Sequence, residues 1–308
     1  MRPGRAEDLP ALLSLWAEDV RSGLHDCVPD HDWLRRQMGD FDWETRSRLV
    51  EGRGGAQGFV VVLERPTEAG SVARVEAVAR SESVRQQLLE WGLLFSRAAG
   101  AVAAQIWWPR GTDATSLSRL GLSQVRAFWR MDRGDLSRLP AATLPDDYSL
   151  SSSIDPRVAA DTFNRAFADH WRFSALTPGE VPPASTGSEL CLLALAPDGD
   201  PAAVVWSTIE RHEPDGRRQP VGLVNVVGTV PDHRRRGLAL ALTTEALRRL
   251  RAQGAASASL YVDALNPTRA FELYRRLDFQ VAYEFEIFEV SWLGEGRPRP
   301  PQTSNVIS

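Results

Sequence analysis

The chain contains no lysine: all 36 of its basic residues are arginine. Set against 40 acidic residues they leave a net charge of −4, so no overall basic field draws the protein to nucleic acid. The arginine bias itself reads as a coding bias. Cysteine is scarce as well. Cys27 and Cys191 are the only two in 308 residues, which excludes a disulfide framework and fits reduced, partly buried thiols. Cys191 lies in the apolar run ELCLLALA, a core strand with nothing nearby to activate a nucleophile. The histidines are scattered without paired ligand spacing, so no metal site is expected. No apolar run reaches the length of a membrane span, and the start MRPGRAEDLPALLSLW lacks the continuous apolar core of a signal peptide. A soluble, cytoplasmic protein is the expectation.

What is present is an ordinary globular composition. With 43% hydrophobic and 25% charged residues a normal core can form, and the length suits two domains of ordinary size. Leu9, Leu12, Leu13 and Trp16 share one helical face. GFVVVLE and VARVEAVAR read as neighbouring strands, and SVRQQLLEWGLLFSRAAG as a helix ending near Gly100. AVAAQIWW is a strand, TSLSRL a short helix and QVRAFWRM another strand. A stretch rich in Pro, Ser and Asp follows, Gly134 to Ser153.

The second half repeats that order. DPRVAADTFNRAFADHW is helical; ELCLLALA, PAAVVWSTIE and VGLVNVVGTV are strands; a helix runs from about Gly237 to near Gly254. SASLYVDAL is a strand. NPTRAFELYRRL is a helix in which Asn266 is expected to cap and Pro267 to take the first position. FQVAYEFEIFEV closes the unit with alternating residues. LSRLGLSQVRAFWRM and LYRRLDFQVAYEFEIF match locally and at the same place in the two orders, which points to an internal duplication. The expected division is a degenerate domain over 1–135, a linker over 136–150, a functional domain over 151–293 and a disordered tail over 294–308.

One stretch breaks a local rule. In PDHRRRGLALALTTEALRRL three arginines run into a glycine and then into a helix, where Ser, Thr, Asp or Asn would ordinarily cap and acidic residues would follow. Unpaired amides and the helix dipole make such a start an anion site. Gly237 lets a ligand approach the backbone, Ala239 keeps the next position small, and arginines add charge-assisted contacts; pyrophosphate fits better than a single carboxylate.

Arg234-Arg235-Arg236-Gly237-Leu238-Ala239 resembles the Arg/Gln-x-x-Gly-x-Gly/Ala signature of the GNAT superfamily of acyl-CoA-dependent N-acyltransferases. VVGTVP before the loop and LYVDALNPTRAFELYRRLDF after the next strand resemble that family's flanking motifs, over about Val221 to Phe288. With two such units in tandem the chain is similar to double-GNAT enzymes of the mycothiol synthase type. The resemblance implies an α/β fold with a mixed sheet: two tandem GNAT-like domains, each a mostly antiparallel twisted sheet flanked by helices. It implies acetyl-CoA, or another short acyl-CoA, as co-substrate. Val227, Gly228 and Thr229 would offer backbone groups to the pantetheine arm and polarise the thioester carbonyl. Arg234, Arg235, Arg236, Gly237, Leu238 and Ala239 would cradle the pyrophosphate, and Asn266 and Arg269 would flank the cofactor's other side. Tyr274 would protonate the leaving thiolate. His170 and Trp171 lie where acceptors approach in that family, and also read as a plain helix end.

The chain departs from the pattern at Leu223, where family members commonly carry a basic carboxylate. Asn225 faces the same way but is not basic, and Glu210, Asp169, His170 and Glu286 are the candidate substitutes. Asp278 replaces the usual turn glycine, and Asp enters the left-handed region more readily than most residues. In the first half VARSESVRQQLL stands where the arginine–glycine loop should be, with Ser81 or Ser83 as an ordinary cap, so no acyl-CoA is expected there. The expected activity is direct acyl transfer to a small-molecule amine by a monomer or homodimer, without nucleic acid or membrane. Two other readings stay open: a non-catalytic CoA-binding scaffold, and a tandem-fold aminoacyl transferase.

Overall fold

The computed structural model describes residues 1–29, 31, 34–35, 38–152, 155–181, 189–212, 219–266 and 269–293. Pro267 and the tail over 294–308 lie outside the described residues. In chain order the first elements are β1 (Arg2–Pro3), α1 (Leu9–Arg21), α2 (Trp43–Arg46), β2 (Ser47–Gly52), β3 (Gly55–Thr67) and β4 (Gly70–Ala79). Then come α3 (Glu82–Ala98), β5 (Ala103–Pro109), α4 (Thr115–Arg119) and β6 (Ser123–Arg133). The later elements are β7 (Ser149–Ser151), α5 (Pro156–Phe167), β8 (Glu189–Leu195), β9 (Pro201–His212) and β10 (Gln219–Thr229). They end with α6 (Leu238–Ala252), β11 (Ser257–Asp263), α7 (Ala270–Arg276) and β12 (Gln280–Ser291).

Contacts divide the chain into two compact units, Met1–Arg126 with the chain from Phe285 onward, and Ala127–Glu284. In the first unit β1, β2, β3 and β4 pair antiparallel in sequence, β4 and β5 pair parallel, and Phe285–Ser291 of β12 adds antiparallel to β5. In the second, β7, β8, β9 and β10 pair antiparallel, β10 and β11 pair parallel, and Phe128–Arg133 of β6 adds antiparallel to β11. Each sheet is therefore mixed and mostly antiparallel, with one parallel pair. Chain order alone assigns β6 to the first half and the end of β12 to the second; their ladders place them the other way round. The units consequently begin and end elsewhere than the 1–135 and 151–293 division suggested by composition.

Burial follows the periodicities. On α6, Leu238, Leu242, Leu247 and Leu250 are at most 1% exposed, and burying a leucine contributes about 1.5–3 kcal/mol. Those leucines pack with Ala203, Val205 and Val224 on one face of the second sheet. The other face carries Val204 and Trp206 against Ala159, Ala160 and Phe163 of α5. Small residues let α5 approach closely: a Cβ at Gly228 would stand 2.7 Å from Phe167 Cε2 and 2.9 Å from Ala166 Cβ.

The duplicated segments close alike. After α4 the Leu122 amide donates to the Leu117 carbonyl and Gly121 to Ser118; after α7 Phe279 donates to Tyr274 and Asp278 to Arg275. Both are Schellman endings, which require a left-handed residue between helix and strand. Gly121 supplies it at φ 82°, Asp278 at φ 59°. Asp278 adds an ion pair to Arg133 at 3.2 Å. Because the left-handed region costs L-residues about 1–2 kcal/mol, Asp278→Val should lower the unfolding free energy by roughly that much in a urea titration, whereas Asp278→Gly should leave it within about 0.5 kcal/mol.

Candidate functional site

β10 pairs with β9 along its whole length but with β11 only from Val221 to Val224, opposite Ser257 to Leu260. Where that ladder stops, a bulge inserts Asn225: Val224 lies opposite Ser207 and Val226 opposite Trp206, the next residue of β9. An extra residue bends its strand and increases its twist, turning the remainder of β10 from its parallel neighbour. Among the described residues no ladder to β11 then occupies that edge of Val226–Thr229. Free strand-edge amides and carbonyls are a template for an extended, amide-bearing molecule. Val227 rests half-buried on the α6 side of the sheet, and Gly228 lies buried under the end of α5.

The edge leads into the arginine–glycine loop. Pro231–His233 form one tight helical turn, Arg235 takes φ 64°, and Gly237 takes φ 81°, ψ 0° immediately before α6. No side chain caps α6 and its first turn holds no acidic residue. A Cβ at Gly237 would meet nothing within 4 Å, so the backbone there is open. The amides that begin α6, Leu238 (side chain buried) and Ala239 (half-buried), keep the dipole's positive end unneutralised. Arg235 and Arg236 are exposed beside it, the latter donating only a long 3.4 Å bond to the Asp232 carbonyl.

Arg234 does something else. Its Nη1 and Nη2 donate to the two carboxylate oxygens of Asp169 at 2.7 and 3.0 Å, Nη2 also to the Ala166 carbonyl at 3.1 Å, and Nε to the Thr229 carbonyl at 3.2 Å. The guanidinium is thus engaged by the end of α5 and the end of β10, and acts as a clasp that fixes the loop. Arg234, expected among the pyrophosphate ligands, has its side chain committed elsewhere. The bond from Arg234 also holds the Asp169 carboxyl below its ordinary range, which makes Asp169 a weaker base. A second tie, unforeseen in the sequence, is a 2.9 Å hydrogen bond between the Tyr148 hydroxyl and His233 Nδ1. Tyr148 lies in the Pro- and Ser-rich stretch and His233 before three arginines, so no local pattern signals either.

Tyr274 projects from α7 into the α6-side core, 7% exposed, with its ring edge-on to Phe279 at 6.2 Å. Burial pushes its phenol pKa up, and no hydrogen bond among the described residues engages the hydroxyl. It is a largely buried, protonated phenol. Asn266 does not cap α7. Asp263 instead accepts from the Leu265 amide at 2.8 Å and from the Asn266 amide through its carbonyl, and α7 begins at Ala270 with Arg269 (φ 53°) at its cap. Arg269 is exposed and paired with Glu272.

His170 and Trp171 follow α5 beside Asp169, both half-buried, with His170 Nδ1 3.2 Å from the Trp171 carbonyl. Glu286 lies opposite Trp108 in the first unit's sheet, so it is no part of this unit. Glu210 is 7% exposed on β9, and Thr208 bridges it toward Asn225. Burial raises the Cys191 thiol to about 12, leaving no thiolate at neutral pH.

The first unit repeats the parting of a parallel pair, with a side chain across it. The β4–β5 ladder ends at Arg74 opposite Gln105. Beyond it Arg85 donates to the Ala77 and Ala79 carbonyls at 2.8 and 2.9 Å and, twice at 2.9 Å, to Asp19. Leu24, His25, Trp107 and Trp108 line the small pocket that remains beside it. Ser81 caps α3 through its own hydroxyl and Glu82 follows, so the helix start is already satisfied.

Residues 195–282 match the acetyltransferase (GNAT) domain family. A mycothiol acetyltransferase of Thermobispora bispora is 33% identical over 56% of this chain and 61% of its own. That of Renibacterium salmoninarum is 31% identical over 72% of this chain and 68% of its own. The chain spans 61% and 57% of the lengths of the first two such relatives it matches. Among solved structures, a GCN5-related N-acetyltransferase from Sphaerobacter thermophilus superposes with TM-score 0.75 at 22% identity, covering 97% of this chain and 96% of that one. A tandem GNAT protein from the clavulanic acid biosynthesis pathway gives TM-score 0.67 at 16% identity over 94% and 98%. These two likenesses bear on the fold.

If Arg234 and Asp169 clasp the loop, Asp169→Asn should speed hydrogen exchange of the amides over 231–237 by about two- to fivefold, the range for an exposed ion pair. The carboxyl is held below its ordinary 3.8, so the clasp persists at neutral and mildly acidic pH. The wild type should reach the variant's rate only as pH falls through that depressed value. Unchanged exchange in the variant would remove the clasp.

Proposed function

The chain belongs to the GNAT acetyltransferase family, and from that premise we propose that its second unit transfers an acetyl group from acetyl-CoA to the amine of a small molecule. The observation that carries this reading is the free edge of β10 running into an uncapped, glycine-led helix start. The two amides of a pantetheine arm suit the edge over Val226–Thr229. A pyrophosphate suits the amides at Gly237, Leu238 and Ala239, with Arg235 and Arg236 supplying charge-assisted contacts. Arg234 holds this loop in shape through Asp169.

The thioester carbonyl would be polarised by backbone amides near Val227–Thr229. Tyr274, a buried phenol that keeps its proton at neutral pH, is suited to protonate the departing thiolate. Transfer is direct, because Cys191 is a buried thiol rather than a nucleophile. The names of the relatives favour a mycothiol-precursor amine as acceptor over the amine of an antibiotic.

Titration of acetyl-CoA calorimetrically into the wild type, Gly237→Glu and Gly237→Asn tests the anion site. Asparagine tolerates the left-handed conformation, so Gly237→Asn should keep most of the binding. Gly237→Glu places an anion against the pyrophosphate and should abolish it. Binding by Gly237→Glu as tight as that of the wild type would overturn the reading. For the proton donor, Tyr274→Phe should lower kcat about 100-fold while leaving acetyl-CoA affinity within about twofold. An unchanged kcat would remove Tyr274 from that role.

A further inference from the structure

The acyl transfer read above needs a group to take the proton of the acceptor ammonium, and Leu223 stands where a carboxylate would do so directly. The bulge offers a substitute. β9 is unbroken over its pairing with β10, so Trp206, Thr208 and Glu210 share one face, the one that packs on α5. Tyr274 belongs to the core on the other face of the sheet. Thr208 is the register partner of Leu223. Its hydroxyl donates to Glu210 Oε1 at 3.5 Å and accepts from Asn225 Nδ2 at 3.1 Å. Glu210 itself is 7% exposed, and Asn225 is exposed at the bulge, its carboxamide oxygen left over for a ligand. The order is buried carboxylate, bridging hydroxyl, exposed amide, ending where β10 parts from β11. Long bonds of this kind commonly tighten once substrate is bound.

We infer that Glu210, acting through the Thr208 hydroxyl, takes the proton that the acceptor ammonium must lose, while the Asn225 carboxamide oxygen holds that amine at the bulge. This rests on the transferase reading given above. The ammonium N–H bond breaks and its proton passes to Thr208 Oγ1, as Thr208 gives its own proton to Glu210 Oε1. The freed lone pair then forms the C–N bond to the thioester carbonyl. On collapse the C–S bond breaks, and the sulfur takes the Tyr274 proton. The resulting phenolate recovers a proton from the nitrogen, now cationic in the adduct. Glu210 releases its proton to solvent, so the cycle yields amide, free thiol and one proton.

The test measures acetyl-CoA affinity and acetyl transfer for the wild type, Glu210→Gln, Thr208→Val and Thr208→Ser. Mycothiol stripped of its acetyl group and a panel of simple primary amines serve as probe acceptors, with product followed by mass spectrometry. Glu210→Gln should bind acetyl-CoA as the wild type does, yet lose about 100-fold in kcat/KM at neutral pH. The deficit should shrink as pH rises and the amine deprotonates unaided, an alkaline rescue that a merely structural role would not give. Thr208→Val should behave likewise, and Thr208→Ser should stay within about threefold of the wild type. Transfer by Glu210→Gln within about twofold of the wild type, or a loss that high pH leaves unrelieved, overturns the relay and leaves the transferase reading standing. Failure of the wild type itself to bind acetyl-CoA or acylate any probe overturns both.

Discussion

The ladder between β10 and β11 runs from Val221 to Val224 and then stops, because Asn225 is one residue more than β9 can match. A sheet that loses its pairing in mid-strand must satisfy the freed amides and carbonyls elsewhere or offer them to a ligand. Here the Arg234 guanidinium takes the Thr229 carbonyl, and the remaining edge is proposed to take acetyl-CoA. Around the parting, Gly228 lets α5 press against β10 on one face, the leucines of α6 fill the other, and Arg234 ties the outgoing loop to the end of α5. Gly237 then starts α6 with neither cap nor acid, so that the free edge of the strand runs on into the free amides of the helix.

The first unit shows the same architecture with the opposite solution. Its parallel pair also parts, after Arg74 and Gln105, but β4 carries no bulge and the Arg85 guanidinium answers the carbonyls of Ala77 and Ala79. Arg85 and Asp19 are 4% and 3% exposed, and stripping one partner from such a buried pair costs on the order of 3–5 kcal/mol. A ligand would have to displace that pair to enter. Each unit thus parts a parallel pair, and in the first the protein's own Arg85 side chain fills the parting.

The parts of the fold legible in the sequence are those set by local chemistry. Helical and alternating periodicities, the glycine after three arginines, and a left-handed residue at Asp278 are all written within a few neighbours of each other. The remainder depends on partners far along the chain. Arg234 reads as a phosphate ligand until Asp169, 65 residues earlier, claims it. The bulge at Asn225 is a mismatch between two strands, and neither strand alone displays it. The crossing of β6 and β12 between units is a matter of which ladder each joins. Asn266 has the composition of a cap, but Asp263 three residues earlier turns the chain first. Tyr274 can be placed by motif order, whereas its anchoring of the Schellman ending against Phe279 depends on how the helix end folds.

Acetyl-CoA is proposed to enter the parting of the second unit and to be kept out of the first by Arg85. Hydrogen–deuterium exchange of the intact chain, with and without saturating acetyl-CoA, tests that most directly. Slower exchange over 225–229 and 235–240, with none over 75–86, is the result the account predicts. Slowing over 75–86, or no change over 225–229, would contradict it.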